Sequence, residues 1–233
     1  MKNIAVTLGE PAGIGPELGV LLSQKKMYKN LIFIADPSLI DQSANKLNKK
    51  VNINIMNNVS AKKYSEKGIM NLLPVQLEVK NNPGHMNHKN SKYVIDTIKL
   101  AAKLCLKKET SAMVTGPISK SILNKAGFKI SGHTEYLADL CKKKSLMLLM
   151  NNKMKVALHT THLPLQDVTK EITKNKLKKT ISLLHDEMIC KFKIDKPKIL
   201  VTGLNPHAGE DGLLGLHDSR VISPVIKELQ NIN

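Results

Sequence analysis

Short apolar runs rich in Val, Ile and Leu alternate along this chain with longer stretches whose apolar positions return every three or four residues. A short apolar run suits a strand buried on both faces, and the longer period suits a helix with one apolar face. Their alternation predicts an α/β protein in which helices cover a sheet. Strands are predicted at Ile4–Leu8, Leu31–Asp36, Val51–Met56, Ala112–Thr115, Lys155–Leu158 and Ile199–Thr202. One helix should start at Pro16, a residue suited to a first helical turn. Others should carry Val94, Ile98, Ala101 and Cys105 on one face, Leu177, Ile181, Leu184 and Met188 on one face, and a last stripe of Val221, Val225 and Leu229. The polar stretch KNNPGHMNHKN, Lys80 to Asn90, reads as a surface loop before the Tyr93 helix.

The 233 residues suffice for one large domain or two small ones. No apolar run approaches the roughly 18 to 20 residues that span a bilayer, so a soluble chain with no membrane partner is expected. The opening MKNIAVTLGEPAG has no small-residue cleavage site and does not read as an export signal, which makes a cytoplasmic location the default.

Lys and Arg outnumber Asp and Glu by 36 to 19, a net charge of +17 that raises nucleic acid as a partner. Two facts count against it: Arg220 is the only arginine, and aromatics that would stack on bases are 3% of the chain. A solvated basic surface, or the steering of a small anionic substrate, fits better than a nucleic-acid face. Cys105, Cys141 and Cys190 stand far apart and make neither a disulfide framework nor a zinc knuckle. Cys105 and Cys190 lie in helical apolar patterns and read as buried, inert thiols.

Four polar or Gly-rich motifs fall after predicted strands or at their ends, where open α/β sheets place their ligand crevice. In LGEPAGIGPELG, Gly13, Gly15 and Gly19 lie between strand and helix, and Asp36 closes the next strand, which imitates a dinucleotide fingerprint. Pro11 and Pro16 remove two N–H donors from that segment, so a different ligand loop or a structural turn remain open. Glu10 and Glu17 would face the crevice or favour the helix dipole. VTGPISK offers Thr115, Ser119 and Lys120, and SGHTEYL offers His133 and Thr134, both suited to a phosphate or carboxylate. For Ser131 and Thr134 helix capping is the plainer role. Finally, HTTHLPL and GLNPHAGE set His162 and His207 in turns beside prolines, as a metal site requires. Two histidines need a third ligand, and a hydrogen-bonded core histidine is the alternative. His159 should point away from His162. His85, His88, His185 and His217 read as surface residues.

Together, GEPAGIGPE, VTGPISK, GHTEYLADL, TTHLPL and GLNPHAGE, in this order, resemble the 4-hydroxythreonine-4-phosphate dehydrogenase family of pyridoxal phosphate biosynthesis. Glu10 stands where that family usually has Asp. The resemblance implies a fold like isopropylmalate and isocitrate dehydrogenases, two α/β/α lobes with the active site in a cleft completed across a homodimer. Residues 1–120 would form the first lobe and 121–233 the second. It implies His162 and His207 as ligands of a divalent cation (Zn, Mg or Co), and His133 and Thr134 as substrate-binding residues. Lys120 is added to the substrate set from its charge and position. NAD or NADP would be the oxidant, and the Gly13 to Gly19 segment is not assigned to it. Family members continue into a YHDQG-like segment, with a third metal His and further substrate contacts, that this sequence does not contain. The chain is therefore expected to be a C-terminally incomplete fold. The reaction implied is oxidation of 4-phosphooxy-L-threonine to 2-amino-3-oxo-4-phosphooxybutanoate, which decarboxylates to 3-amino-2-oxopropyl phosphate. The rivals are a paralogous dehydrogenase of threonate or erythronate 4-phosphate, and a non-catalytic binding protein.

Overall fold

The computed structural model describes residues 3–25 and 30–231. They fall into two units, Met1–Lys143 and Lys144–Asn233.

The first unit runs β1 (Ile4–Thr7), α1 (Gly15–Ser23), β2 (Leu31–Ala35), α2 (Pro37–Lys46), β3 (Asn52–Ile55), β4 (Ile69–Pro74), α3 (Ser91–Leu106), β5 (Ala112–Thr115), α4 (Lys120–Lys125) and α5 (His133–Cys141). Its five strands form one parallel sheet in the order β3-β4-β2-β1-β5. Successive side chains of a strand point to opposite faces, and the core divides accordingly. Val6, Phe33, Ala35, Met70 and Leu72 pack with Val20, Ile40 and Ala44 of α1 and α2. Ala5, Ile32, Ile34 and Leu73 pack with Ala101 and Leu104 of α3 on the other face. Both faces are covered, which is why these strands read as unbroken apolar runs.

β4 was not expected from the sequence, because Asn71 interrupts its apolar run. That side chain is 3% exposed and fully engaged: Asn54 Nδ2 and the Tyr64 amide donate to its Oδ1, and its Nδ2 donates to the Tyr64 carbonyl, at 2.8–2.9 Å. A buried amide satisfied in this way costs little and ties residue 64 to the sheet.

The second unit runs β6 (Met147–Met150), β7 (Lys155–Leu158), α6 (Leu165–Glu171), α7 (Lys174–Cys190) and α8 (Ser223–Gln230), the last preceded by a turn of π-helix, Asp218–Ile222. β6 and β7 pair antiparallel. Asn151 closes their turn, its Oδ1 accepting from the Lys153 and Met154 amides at 2.8 and 2.9 Å. The small core lies between α7 and α8, around Leu177, Ile222 and Val225.

Three expectations are corrected. Ile199–Thr202 is not a strand: it has no ladder partner among the described residues, and Leu200 is 94% exposed. Cys190 is exposed rather than buried, because it closes the last turn of α7. His217 is half-buried, its Nε2 lying 2.8 Å from the Ile172 carbonyl. The stretch that forms α4 and α5 packs within the first unit, where Leu123 and Ile130 join Tyr93 and Ile98 in one cluster.

Candidate functional site

In the first unit the chain moves outward from β1 to β2 and returns to place β5 on the other side of β1. That makes the carboxyl ends of β1 and β5 a topological switch point, the place where such sheets hold ligands. The loops after these strands carry GEPAGIGPE and VTGPISK, and they interlock. The Glu10 amide donates to the Pro117 carbonyl at 2.8 Å, and the Gly116 amide to the Thr7 carbonyl at 2.7 Å. Gly9 adopts a φ of +74°, and a Cβ there would lie 2.1 Å from Pro117 O. Gly15 is held as tightly, its added Cβ falling 1.7 Å from Leu8 O. These glycines are explained by backbone packing alone.

Asp36 settles the dinucleotide imitation. Its Oδ1 accepts from the Ser38 amide and hydroxyl, capping α2, and its Oδ2 accepts from the Leu77 amide at 2.7 Å. A carboxylate committed to three donors is not free to bind a ribose. Beneath the loop, Glu10 is 5% exposed, with one oxygen 3.3 Å from the Ala12 amide. Burial pushes its carboxyl above the usual range, and the Ala12 amide offsets this only in part. The Thr7 hydroxyl, at the end of β1, is buried without a hydrogen-bond partner.

The SGHTEYL turn opens α5. Its N-cap is Gly132 with an extended backbone, and no side chain caps the helix, so neither Ser131 nor Thr134 has the capping role. Three side-chain atoms of the first turn are buried without partners: His133 Nε2, Glu135 Oε2 and Tyr136 Oη. Lys120 approaches the same place, since a Cβ on Gly132 would lie 3.7 Å from Lys120 Nζ and 2.7 Å from Glu135 Oε2. Burial, and then the Lys120 charge, hold the His133 imidazole below its usual pKa and favour the neutral ring. Burial raises the Tyr136 phenol, with Asp96 adding to the shift. Lys120 and His133 are thus brought together. Ser119 instead caps α4, accepting from the Ile122 amide at 3.5 Å.

His162 and His207 are both in the second unit, on exposed loops. His162 has a φ of +57°, an uncommon conformation for a residue with a Cβ. His207 begins a tight turn in which Ala208, Gly209, Glu210 and Asp211 all have positive φ. Its Nδ1 lies 2.7 Å from Glu210 Oε1, which would leave Nε2 free for a ligand, the usual arrangement around a metal-bound imidazole. Among the described residues no group of three or more His, Cys, Asp or Glu side chains is arranged to hold a metal ion. A cavity of about 580 Å³ opens beside the same HTTHL segment, lined by Lys144, His159, Thr160, Thr161, Lys176 and Lys179 among others. His159 turns to Thr180, its Nδ1 3.0 Å from the hydroxyl oxygen.

Sequence reasoning passed over Glu135, Tyr136 and Glu210. The signal for Glu210 was its place three residues after His207, and for Glu135 its place in the first turn of a helix that no side chain caps.

A parallel α/β/α unit with polar loops at its switch point, followed by a unit carrying two loop imidazoles, defines an enzyme-like α/β chain. Comparison with known proteins places it more closely. Residues 26–233 match the family model described as pyridoxal phosphate biosynthetic protein PdxA, and the chain belongs to that family. It is 39% identical over 99% of its length to a 4-hydroxythreonine-4-phosphate dehydrogenase of Wigglesworthia glossinidia brevipalpis. A protein of the same name from Vibrio vulnificus is 38% identical over 231 residues. The chain spans 70% of the length of each. The crystal structure of the Klebsiella pneumoniae 4-hydroxythreonine-4-phosphate dehydrogenase superposes with a TM-score of 0.90 at 27% identity, covering 99% of this chain and 72% of that one. Among the described residues, no helix is long and apolar enough to cross a membrane.

Proposed function

We propose that this chain serves the reaction for which these relatives are named, the nicotinamide-dependent oxidation of 4-phosphooxy-L-threonine. The observation that supports the reading is the unpartnered His133 Nε2, at a position the family resemblance assigns to substrate, with Lys120 approaching the same turn. Lys120 and the open N-terminus of α5 attract the anionic end of the substrate. His133, kept neutral by its surroundings, offers a ring nitrogen as donor or acceptor without adding charge, and Thr134 offers a hydroxyl.

Bound NAD or NADP would supply the hydride acceptor: the C3–H bond of the substrate would break with its electron pair passing to that cofactor, and the hydroxyl proton would pass to solvent. The product, 2-amino-3-oxo-4-phosphooxybutanoate, is a β-keto acid, and loss of CO₂ gives 3-amino-2-oxopropyl phosphate. His162 and His207 are the proposed ligands of a divalent cation, Zn, Mg or Co, with Glu210 orienting His207. Such a cation would lower the pKa of the substrate hydroxyl. The enzyme would act in the cytoplasm, as a homodimer with a shared site.

The test is to supply 4-phosphooxy-L-threonine with NAD or NADP and follow reduced nicotinamide, and to measure bound metal in the His162→Ala and His207→Ala variants. Turnover with the amino acid, and loss of metal in both variants without loss of fold, is the expected result. Turnover with threonate 4-phosphate alone would install the paralogous dehydrogenase instead. Unchanged metal content in either variant would remove that histidine from the site.

A further inference from the structure

The cavity of about 580 Å³ in the second unit lies between the end of β7 and one face of α7, and no step proposed above uses it. Its size falls within the roughly 300–1,000 Å³ of small-molecule sites. α7 turns Lys176, Lys179, Thr180 and Leu183 toward it, three or four residues apart, so one helix face forms the wall. The two sides are tied to each other. The Thr180 hydroxyl donates its single proton to the Lys176 carbonyl at 3.1 Å, so toward His159 it can only accept. His159 Nδ1, 3.0 Å away, therefore carries the ring proton and donates it to Thr180, which holds the end of β7 against α7.

The polar groups of the wall divide into committed and free. Glu171, the one carboxylate of the wall, is paired with Lys176. Lys144 and Lys179 have no ion pair or side-chain hydrogen bond among the described residues, and neither do the hydroxyls of Ser145, Thr160 and Thr161. What remains is a surplus of two positive charges and three hydroxyl donors around one hollow, with Leu146, Leu163 and Leu183 as its apolar surface. A cation is repelled there, and a carboxylate balances only one of the charges. A phosphate monoester brings two negative charges and several acceptor oxygens, and charge-assisted hydrogen bonds to it are the strong kind. We propose that this cavity binds a small phosphorylated molecule, its phosphate on Lys144 and Lys179 and its apolar body against the leucines. Leu163, 42% exposed, would be covered by that body. The candidate substrate turn at Gly132 belongs to the first unit, so this is a separate anion site.

Amide NMR spectra of the 233-residue chain read the cavity residue by residue, with phenyl phosphate as the probe. Its addition should shift the amides of Thr160, Thr161 and Lys179 to saturation. Lys144→Gln and Lys179→Gln should each weaken this binding by about 10- to 100-fold, the loss expected for a hydrogen bond to a charged group. Lys103→Gln, on α3 in the first unit, should change it by less than about 2-fold at 0.15 M salt, where distant charges are screened. Phenol, the same body without the charge, should bind at least about 10-fold more weakly. Displacement of the probe by 4-phosphooxy-L-threonine would support the site as one for substrate, and displacement by NAD or NADP as one for cofactor phosphate. The assignment is overturned if phenyl phosphate moves no amide of the wall, or if phenol moves them at the same concentrations. It is overturned equally if Lys103→Gln weakens binding as much as Lys179→Gln, since the attraction would then belong to the whole basic surface. None of these outcomes depends on the proposed oxidation, because the probe is neither its substrate nor its cofactor.

Discussion

Ile34, in the first unit, has no exposed surface, whereas Leu200, in the second, is 94% exposed. Both are aliphatic residues flanked by other apolar residues, and their surroundings make the difference. Around Ile34 a parallel sheet has helices on both faces, so each side chain of β1 and β2 meets a packed layer whichever way it points. The second unit pairs two short strands, and its buried cluster is supplied mainly by α7, α8 and the π-turn before α8. An isolated two-stranded ribbon is marginal in water, and Leu149, Met150, Met154 and Val156 of this one stay exposed. The first unit therefore holds the candidate substrate-binding turn on a stiff frame. The second carries its two candidate ligand histidines on loops with left-handed backbone and little packing beneath them.

The largest effect that separates the units is a single methyl group. Gly15→Ala puts a Cβ 1.7 Å from the Leu8 carbonyl oxygen, which is backbone and cannot swing aside. Gly215→Ala, at a φ of +110° in the second unit, meets nothing within 4 Å and bears only the conformational cost. Thermal unfolding should show Gly15→Ala losing more than about 4 kcal/mol, the range reserved for disrupted packing. Gly215→Ala should lose about 1–2 kcal/mol, the ordinary strain of a left-handed residue. Equal losses would mean that the loop after β1 is not locked as described.

A core truncation should come next. Ile98→Ala removes a side chain with no exposed surface from the cluster around Tyr93, and should cost about 2–5 kcal/mol. Leu177→Ala, in the smaller second core, should fall at or below the lower end of that range. Amide hydrogen exchange is the suitable measurement, since it reads the two units separately.

The same contrast decides what the sequence could reveal. β1, β2, β3, β5 and β7 were legible because their apolar runs are short and bounded by turns, and α3 because Val94, Ile98 and Ala101 repeat at helical spacing. β4 was hidden by Asn71, whose burial depends on partners at Asn54 and Tyr64 that no local pattern announces. Ile199–Thr202 had the composition of a strand, but a strand exists only through a neighbour, and composition cannot supply one. At the candidate site, Lys120, His133 and Thr134 were legible as polar residues at element ends. Glu135 was not, because an acid near a helix start ordinarily serves the helix amides, and only the structure shows that its buried Oε2 accepts from none of them.

A smaller effect depends on pH. The Glu10 carboxyl is raised above its ordinary value of 4.5 chiefly by burial. The folded state therefore holds its proton more tightly than the unfolded chain, and stability declines as pH rises from the ordinary carboxylate range through the raised value. Glu10→Gln keeps the acceptor for the Ala12 amide and removes the charge. The variant should match the wild type below about pH 4.5 and exceed it at neutral pH. His133 has the opposite sign. Its depressed imidazole favours the fold above the ordinary value of 6.5, and that contribution is lost as pH falls through the lowered one, so His133→Gln should flatten the acid side of the profile. A stability profile unchanged by Glu10→Gln would show that the carboxyl is solvated in solution.

The smallest expected change is the sharpest probe of the contrast between the units. Leu200→Ser removes an aliphatic side chain that touches almost nothing, so in a chain folded as described its stability should stay within about 0.5 kcal/mol of the wild type. Ile34→Ser, by contrast, places a hydroxyl in a layer without partners and should cost several times more, through lost burial and an unsatisfied donor together. Thermal melts at two protein concentrations would read both variants. If Leu200→Ser lowers the midpoint by the amount typical of a buried leucine, that side chain is covered in solution. A concentration-dependent loss would then identify a second copy of the chain as what covers it, and a concentration-independent one a rearrangement within the second unit. Either result would replace the picture of a thinly packed second unit with one whose apolar surface is already spoken for.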